Sequence, residues 1–144
     1  MWEKLYNGVN ISANPNRYII FAEEVINLFK TFQQNTNDSL ESGGLLLGKV
    51  RGEHFEVTQI TTPYSKDRQS RYGFERNDPK HIKIMNCLKK ISNGEVSYLG
   101  EWHTHPEDIP KPSGIDIYEW QNIRSKRNYL VVFLIIGRKN FLIA

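Results

Sequence analysis

An α+β domain built on a central, largely antiparallel sheet is predicted by three features of the sequence. Two strand-length apolar stretches, 43–50 and 55–61, stand side by side and are joined at Arg51-Gly52. Two more, 129–136 and 140–143, turn back on each other around Gly137. Helical patterns lie among these strands, and adjacent strands with interspersed helices fit α+β rather than a strict βαβ alternation.

Met1 to Asn10 is mixed and polar, unlike a secretory leader. Arg17 to Phe21 reads as a short strand that leads into a helix from about Ala22 to Gln34. That helix should turn Val25, Ile26, Leu28, Phe29 and Phe32 inward as one broad apolar face. Asn35 to Ser39 is a polar turn. Gly43 to Val50 is a buried strand, and Phe55 to Thr61 alternates as its neighbour. Thr62 to Gln69 reads as a loop and Ser70 to Phe74 as a further strand. Asp78-Pro79 is a helix start, an acidic cap followed by proline. Its helix should carry Ile82, Ile84, Met85, Leu88 and Ile91 inward and stop at Asn93-Gly94. Val96 to Trp102 is a strand running into His103, and Ser113 opens a helix reaching about Ser125.

Residues 1–144 are enough for one domain with a single core, and 39% hydrophobic content makes disorder a poor reading. The formal charge of +3 is a mild basic excess with no nucleic-acid-binding motif behind it, so no nucleic-acid partner is expected. The single cysteine, Cys87, excludes an internal disulfide and a Cys-rich zinc ribbon. It lies in the apolar helical pattern and is expected as a buried thiol. No secretory leader pattern opens the sequence, and the apolar run 129–136 is too short to span a bilayer. A soluble cytoplasmic protein is the expectation.

The chemistry concentrates in Glu101-Trp-His-Thr-His-Pro106 and the stretch that ends Ser113-Gly-Ile-Asp116. His103 and His105 on a continuing strand point to one side, so both imidazoles can face one metal ion. Asp116 can add a carboxylate once the loop turns back. Two His and one carboxylate with the fourth position open to water form a catalytic rather than a structural zinc site. Each half also has a plainer explanation, because His-x-His is common on strands and Ser113-x-x-Asp116 is a capping box. Only four histidines are present, and His54 and His81 are expected at the surface, so sites built from three histidines are poorly supported. A water bound at such a site needs a proton acceptor that is not a ligand, and Glu41 precedes the strand Gly43 to Gly48. Trp102 and Trp120 are expected to pack in the core, and the basic segment with Lys66, Arg68, Arg71 and Arg76 to be a solvated loop or a dock for a substrate tail.

Glu41 with its Gly-Gly-Leu-Leu-Leu-Gly strand, His103-Thr-His105-Pro106, six further residues, then Ser113-Gly-Ile-Asp116 resembles the complete signature of the JAB/MPN (JAMM) metallopeptidases. The resemblance implies the MPN fold, with one zinc bound by His103, His105 and Asp116, Glu41 as general acid/base, and Ser113 as donor to the oxyanion. It implies hydrolysis after the C-terminus of a ubiquitin-like modifier. The sequence is most similar to bacterial stand-alone JAB proteins, some of which accompany E1- and E2-like enzymes in anti-phage (CBASS-type) systems. The alternative is a non-catalytic interaction scaffold of the same fold, which has no need of all five residues.

Overall fold

The computed structural model describes residues 1–13 and 16–144. The elements run α1 (Trp2–Asn7), β1 (Val9–Ala13), β2 (Asn16–Phe21), α2 (Glu23–Phe32), β3 (Gly43–Arg51), β4 (His54–Ile60), β5 (Arg68–Ser70) and β6 (Gly73–Glu75). They continue with α3 (Lys80–Ile91), β7 (Ser97–Thr104), α4 (Gly114–Ser125), β8 (Val132–Ile136) and β9 (Phe141–Ile143). Seven strands form one sheet in the order β1-β2-β4-β3-β7-β8-β9, while β5 and β6 form a hairpin of their own. Only β2–β4 and β7–β8 are parallel; the other pairings in the sheet are antiparallel, as expected.

The run Leu45-Leu46-Leu47 makes β3 a central strand, since all three side chains are fully buried on alternating faces. Leu46 joins Phe29, Trp102 and Leu134 in the core beneath α1 and α2. Leu45 and Leu47 face the other way, against Ile84, Met85 and Leu88 of α3. On that second face Trp120 of α4 covers Val131, Phe133 and Ile135. Helices thus cover both faces, and the ends of β3 and β7 that carry the candidate site emerge between them.

Met1 to Asn10 contains α1 and the start of β1, which docks on β2. Several expectations are corrected. Leu28 is exposed, because α2 buries only Val25, Ile26 and Phe29, with Phe32 half-buried at its end. The stretch 70–74 is not one strand: the chain turns at Arg71-Tyr72 to make the β5–β6 hairpin. In α3 the inward stripe is His81, Ile84, Met85 and Leu88, narrower than expected, so Ile82, Ile91 and Cys87 face solvent. The helix rests on the sheet along one line, and only residues at i, i+3, i+4 and i+7 reach it.

His81, expected at the surface, is fully buried. Its Nδ1 lies 2.5 Å from Thr61 Oγ1 and its Nε2 lies 2.6 Å from Asp67 Oδ2. Asp67 also accepts the amide N–H groups of Tyr64, Asn77 and Asp78, each at 2.8 Å. Burial alone would raise the Asp67 carboxyl, but the bonds from Asp78, His81, Tyr64 and Asn77 outweigh it and hold it below its ordinary value of 3.8. A carboxyl held below its unfolded value stabilises the fold fully above that value and loses the effect as pH falls through the lower, folded one. Asp67→Asn sets an NH₂ group against donors that already converge there and should cost about 2 kcal/mol at neutral pH. Urea unfolding should show the gap between wild type and variant shrinking as pH falls below 3.8.

Candidate active site

Gly43 at the start of β3 pairs with His103 near the end of β7. Just outside that pair, Ser42 N–H donates to Thr104 Oγ1 at 2.9 Å and Thr104 N–H donates to Ser42 O at 2.8 Å. The Thr104 hydroxyl in turn donates to Gln34 Oε1 at 2.9 Å, beyond the end of α2. Glu41 is therefore held beside the residue that separates the two histidines. An extra residue in β7, Leu99, falls between the pairs Leu46–Gly100 and Leu47–Tyr98. The bulge resets the alternation: Leu99 and Trp102 both enter the α2-side core, and His103 points to the α4 side, 6.5 Å from the Trp120 ring.

Three donors meet there. His103 Nε2 and His105 Nε2 are 3.1 Å apart, with Asp116 Oδ1 3.3 Å from the first and Asp116 Oδ2 3.2 Å from the second. Bonds of 2.0–2.1 Å in a tetrahedron place neighbouring ligand atoms about 3.3 Å apart, so this spacing fits one face of a zinc site. Glu41 Oε1 stands farther off, 4.0 Å from His105 Nε2, although a looser cluster of possible ligands joins Glu41 to both histidines. The tighter spacing favours Asp116 as the third ligand and leaves Glu41 beside the metal position.

The electrostatics follow from packing carboxylates and imidazoles into a shielded cleft. Burial, opposed by His105 and reinforced by the Asp116 charge, pushes the Glu41 carboxyl up to about 8. Burial alone would lower His105, but its bonds to Asp116 and Glu107 and the Glu41 charge prevail and push it up to about 9. Asp116 goes the other way: burial disfavours its charge, and the bonds with His103 and His105 hold it well below the usual carboxylate range. A divalent cation offers this donor set the positive charge that shared protons otherwise supply.

The remaining parts position these groups. Ser113 caps α4: its Oγ accepts Asp116 N–H at 3.0 Å, and Asp116 Oδ2 accepts Ser113 N–H at 2.8 Å. The capping box therefore forms, and it fixes the carboxylate toward the histidines while leaving the Ser113 hydroxyl proton free. Pro110 and Pro112 restrict the backbone of the loop before α4, and the β8–β9 turn holds it too, with Arg138 N–H donating to Glu107 O at 2.7 Å and Lys139 N–H to Asp108 O at 3.0 Å. Glu107, absent from the expected site residues, accepts His105 Nδ1–H at 2.8 Å and so turns Nε2 toward Asp116. Its position two residues after His105 was the available signal. Of the basic residues expected near a substrate tail, Arg76 is paired with Glu101 at 2.8 Å and Arg71 is bonded to the carbonyls of Thr36 and Asn37. The cleft at His103 and Asp116 is walled by Phe74, Arg76, Glu119 and Trp120. A larger cavity of about 730 Å³ lies toward the other end of the sheet and shares only Arg76 with it.

A sheet covered on both faces, with a His-x-His pair and two carboxylates gathered at one end, is the arrangement expected of a JAB-type domain. The chain belongs to the family described as prokaryotic homologs of the JAB domain, which matches residues 30–142. It is 40% identical over 125 residues to a protein named CD-NTase/cGAS isopeptidase from Escherichia coli (strain TW11681), covering 87% of this chain and 80% of that protein. A protein of the same name from Pseudomonas aeruginosa (strain BWHPSA011 / Pa011) is 40% identical over 117 residues, with coverages of 81% and 74%. A third, from Vibrio cholerae serotype O1, is 38% identical over 124 residues, covering 85% and 78%. The fold is also that of a solution structure from Desulfitobacterium hafniense, with a TM-score of 0.55, 21% identity, and coverage of 87% of this chain and 80% of that one.

Glu107→Ala should leave the fold intact and weaken Zn²⁺ binding by about 10- to 100-fold, because His105 loses the partner that orients it. Competition with a chelating dye measures this directly; unchanged affinity would mean that Glu107 does not orient His105.

Proposed function

We propose that this chain is a zinc-dependent isopeptidase that hydrolyses the bond joining the C-terminus of a ubiquitin-like protein, or of a conjugated CD-NTase, to an amine. The setting would be a bacterial conjugation pathway with E1- and E2-like enzymes, linked to anti-phage defence. The observation that carries the reading is the close grouping of His103, His105 and Asp116 donor atoms, with the buried Glu41 carboxyl 4.0 Å from His105. The names of the relatives supply the substrate class.

One zinc would be held by His103 Nε2, His105 Nε2 and an oxygen of Asp116. Zinc at that position supplies a Lewis acid that acidifies water and polarises a carbonyl. Glu41 is buried beside that position without being bonded to the histidines, which leaves its carboxyl available to carry a proton. Its Oε1 takes a proton from the attacking water as the C–O bond forms. It then delivers that proton to the departing amine as the C–N bond breaks. The Ser113 hydroxyl, whose oxygen already accepts Asp116 N–H, donates its proton toward the negative charge that develops on the carbonyl oxygen.

Glu41→Gln should keep its zinc and fold while losing on the order of 10²–10⁴ in rate. His103→Ala should lose zinc and activity together. The substrate is a CD-NTase from the same genome joined through its C-terminus to a short peptide or a lysine side chain, with zinc measured on every variant. A wild type that binds one zinc yet cleaves neither form supports the scaffold reading instead.

A further inference from the structure

We propose that His81 is a positioning residue for Glu41. It acts as the middle link of a buried chain, Thr61–His81–Asp67, that fastens the segment 62–78 to the central strands. The inference rests on the catalytic reading of Glu41, but its principal test does not need activity.

Thr61 is the fixed end. Its backbone N–H donates to Leu45 O at 3.1 Å, its Oγ1 accepts Leu45 N–H at 2.7 Å, and its carbonyl accepts the Trp102 indole N–H at 2.9 Å. Three bonds thus tie it to β3 and β7 within two residues of Gly43 and one of His103. The assignment that leaves no donor in the chain without an acceptor directs its one hydroxyl proton to His81 Nδ1. The imidazole is then the Nε2–H tautomer, whose proton goes to Asp67 Oδ2. Each donor in the chain has an acceptor. The Tyr64 ring lies over His81 with centroids 4.7 Å apart, and Lys80 covers that ring in turn.

Asp67 is the other end. By gathering the amides of Tyr64, Asn77 and Asp78 it closes the segment into a loop whose base sits on His81. The β5–β6 hairpin starts at the next residue, Arg68, and ends two residues before Asn77. That hairpin is what holds Glu41: Glu41 N–H donates to Ser70 O at 2.7 Å, and Gln69 Nε2 donates to Glu41 O at 3.1 Å. Phe74 packs against Gly43, where an added Cβ would come within 2.7 Å of its ring. Glu41 therefore has two holds: the Ser42–Thr104 bonds on one side, and on the other a hairpin whose base is tied to the central strands by the fully buried Thr61–His81–Asp67 chain and by the more exposed Arg76–Glu101 ion pair.

The test uses Thr61→Val, which keeps the shape and deletes the hydroxyl, Thr61→Ser, which keeps the hydroxyl, and Asp67→Asn at the other end should the valine variant fold poorly. All are studied as the full chain with zinc added. Hydrogen exchange at the Glu41 amide should rise by tenfold or more in Thr61→Val and Asp67→Asn relative to amides in β8, and stay near wild type in Thr61→Ser. Against the CD-NTase fusion, kcat should fall by about 10- to 100-fold with KM within about twofold and zinc content unchanged. The serine variant should recover most of that loss. Unchanged Glu41 exchange in both disrupted variants overturns the proposal, whatever the activity. An inactive wild type would count against the isopeptidase reading alone, since exchange still decides the role of His81.

Discussion

Ser42 and Thr104 exchange two hydrogen bonds just beyond the end of the β3–β7 ladder, and the geometry of the site depends on that junction. It fixes the acid of one strand against the imidazoles of the other, and it explains the glycines that precede the leucine run. A side chain at Gly43 would meet Trp102 O at 2.6 Å, and one at Gly44 would meet Thr61 O at 2.1 Å. Neither position tolerates a Cβ without moving backbone, so the close approach of three strands is available only to glycine. The Glu-Ser-Gly-Gly stretch is thus one device: the glycines let the strands close, the Ser42 backbone locks them to Thr104, and the glutamate is presented.

Closing the strands has an electrostatic consequence. Glu41 and Asp116 come within reach of two histidines in a cleft largely shielded from water, and the half-exposed Glu107 meets His105 at its edge. Each carboxylate would resist burial alone, and each imidazole would resist protonation alone. Together they compensate in part, with His105 pushed up, Asp116 held down, and Glu41 pushed up by a burial that His105 only partly offsets. The proposed division between ligand and base matches that asymmetry. The carboxylate capped into α4 and bonded to both histidines suits a ligand; the buried one 4.0 Å away suits a proton carrier.

The sequence made the site unusually legible because the residues that touch its centre are close in sequence or bear a fixed spacing. His103, His105, Ser113 and Asp116 are joined by one short loop, and Glu41 is marked by its glycines. The α+β class and the major strands were readable from periodicity for the same local reason. What was not legible depends on partners far along the chain. His81 looked like a surface residue near a helix start, yet it continues the inward stripe of Ile84, Met85 and Leu88. Only the arrival of Thr61 and Asp67 gives a buried imidazole acceptable neighbours. Leu28 and Cys87 fail in the opposite sense: both sit in apolar patterns, but the helix touches the sheet along too narrow a line to bury them. The short α1 and β1 have no strong pattern of their own and owe their placement to β2 and to the core that receives Leu5.

The two segments that frame the site are held by different physics. The loop 106–112 is fastened to the β8–β9 turn by backbone bonds and by an Asp108–Arg138 ion pair at 2.9 Å whose side chains are 47% and 38% exposed. Such a pair contributes little and is screened by salt. The segment 62–78 is fastened through His81 and Asp67, whose side chains are fully buried and beyond the reach of screening. A buried polar chain is costly when broken, because each stranded donor or acceptor loses its partner without regaining water. The hairpin that holds Glu41 therefore has the stiffer base, while the loop ahead of α4 relies on its prolines and the capping box to keep Asp116 in place. Rigidity thus lies under Glu41, where, on the proposed mechanism, a small displacement would separate the proton carrier from both water and leaving group. The ligand loop can tolerate a looser hold, since its ligand is also drawn toward the two histidines it faces.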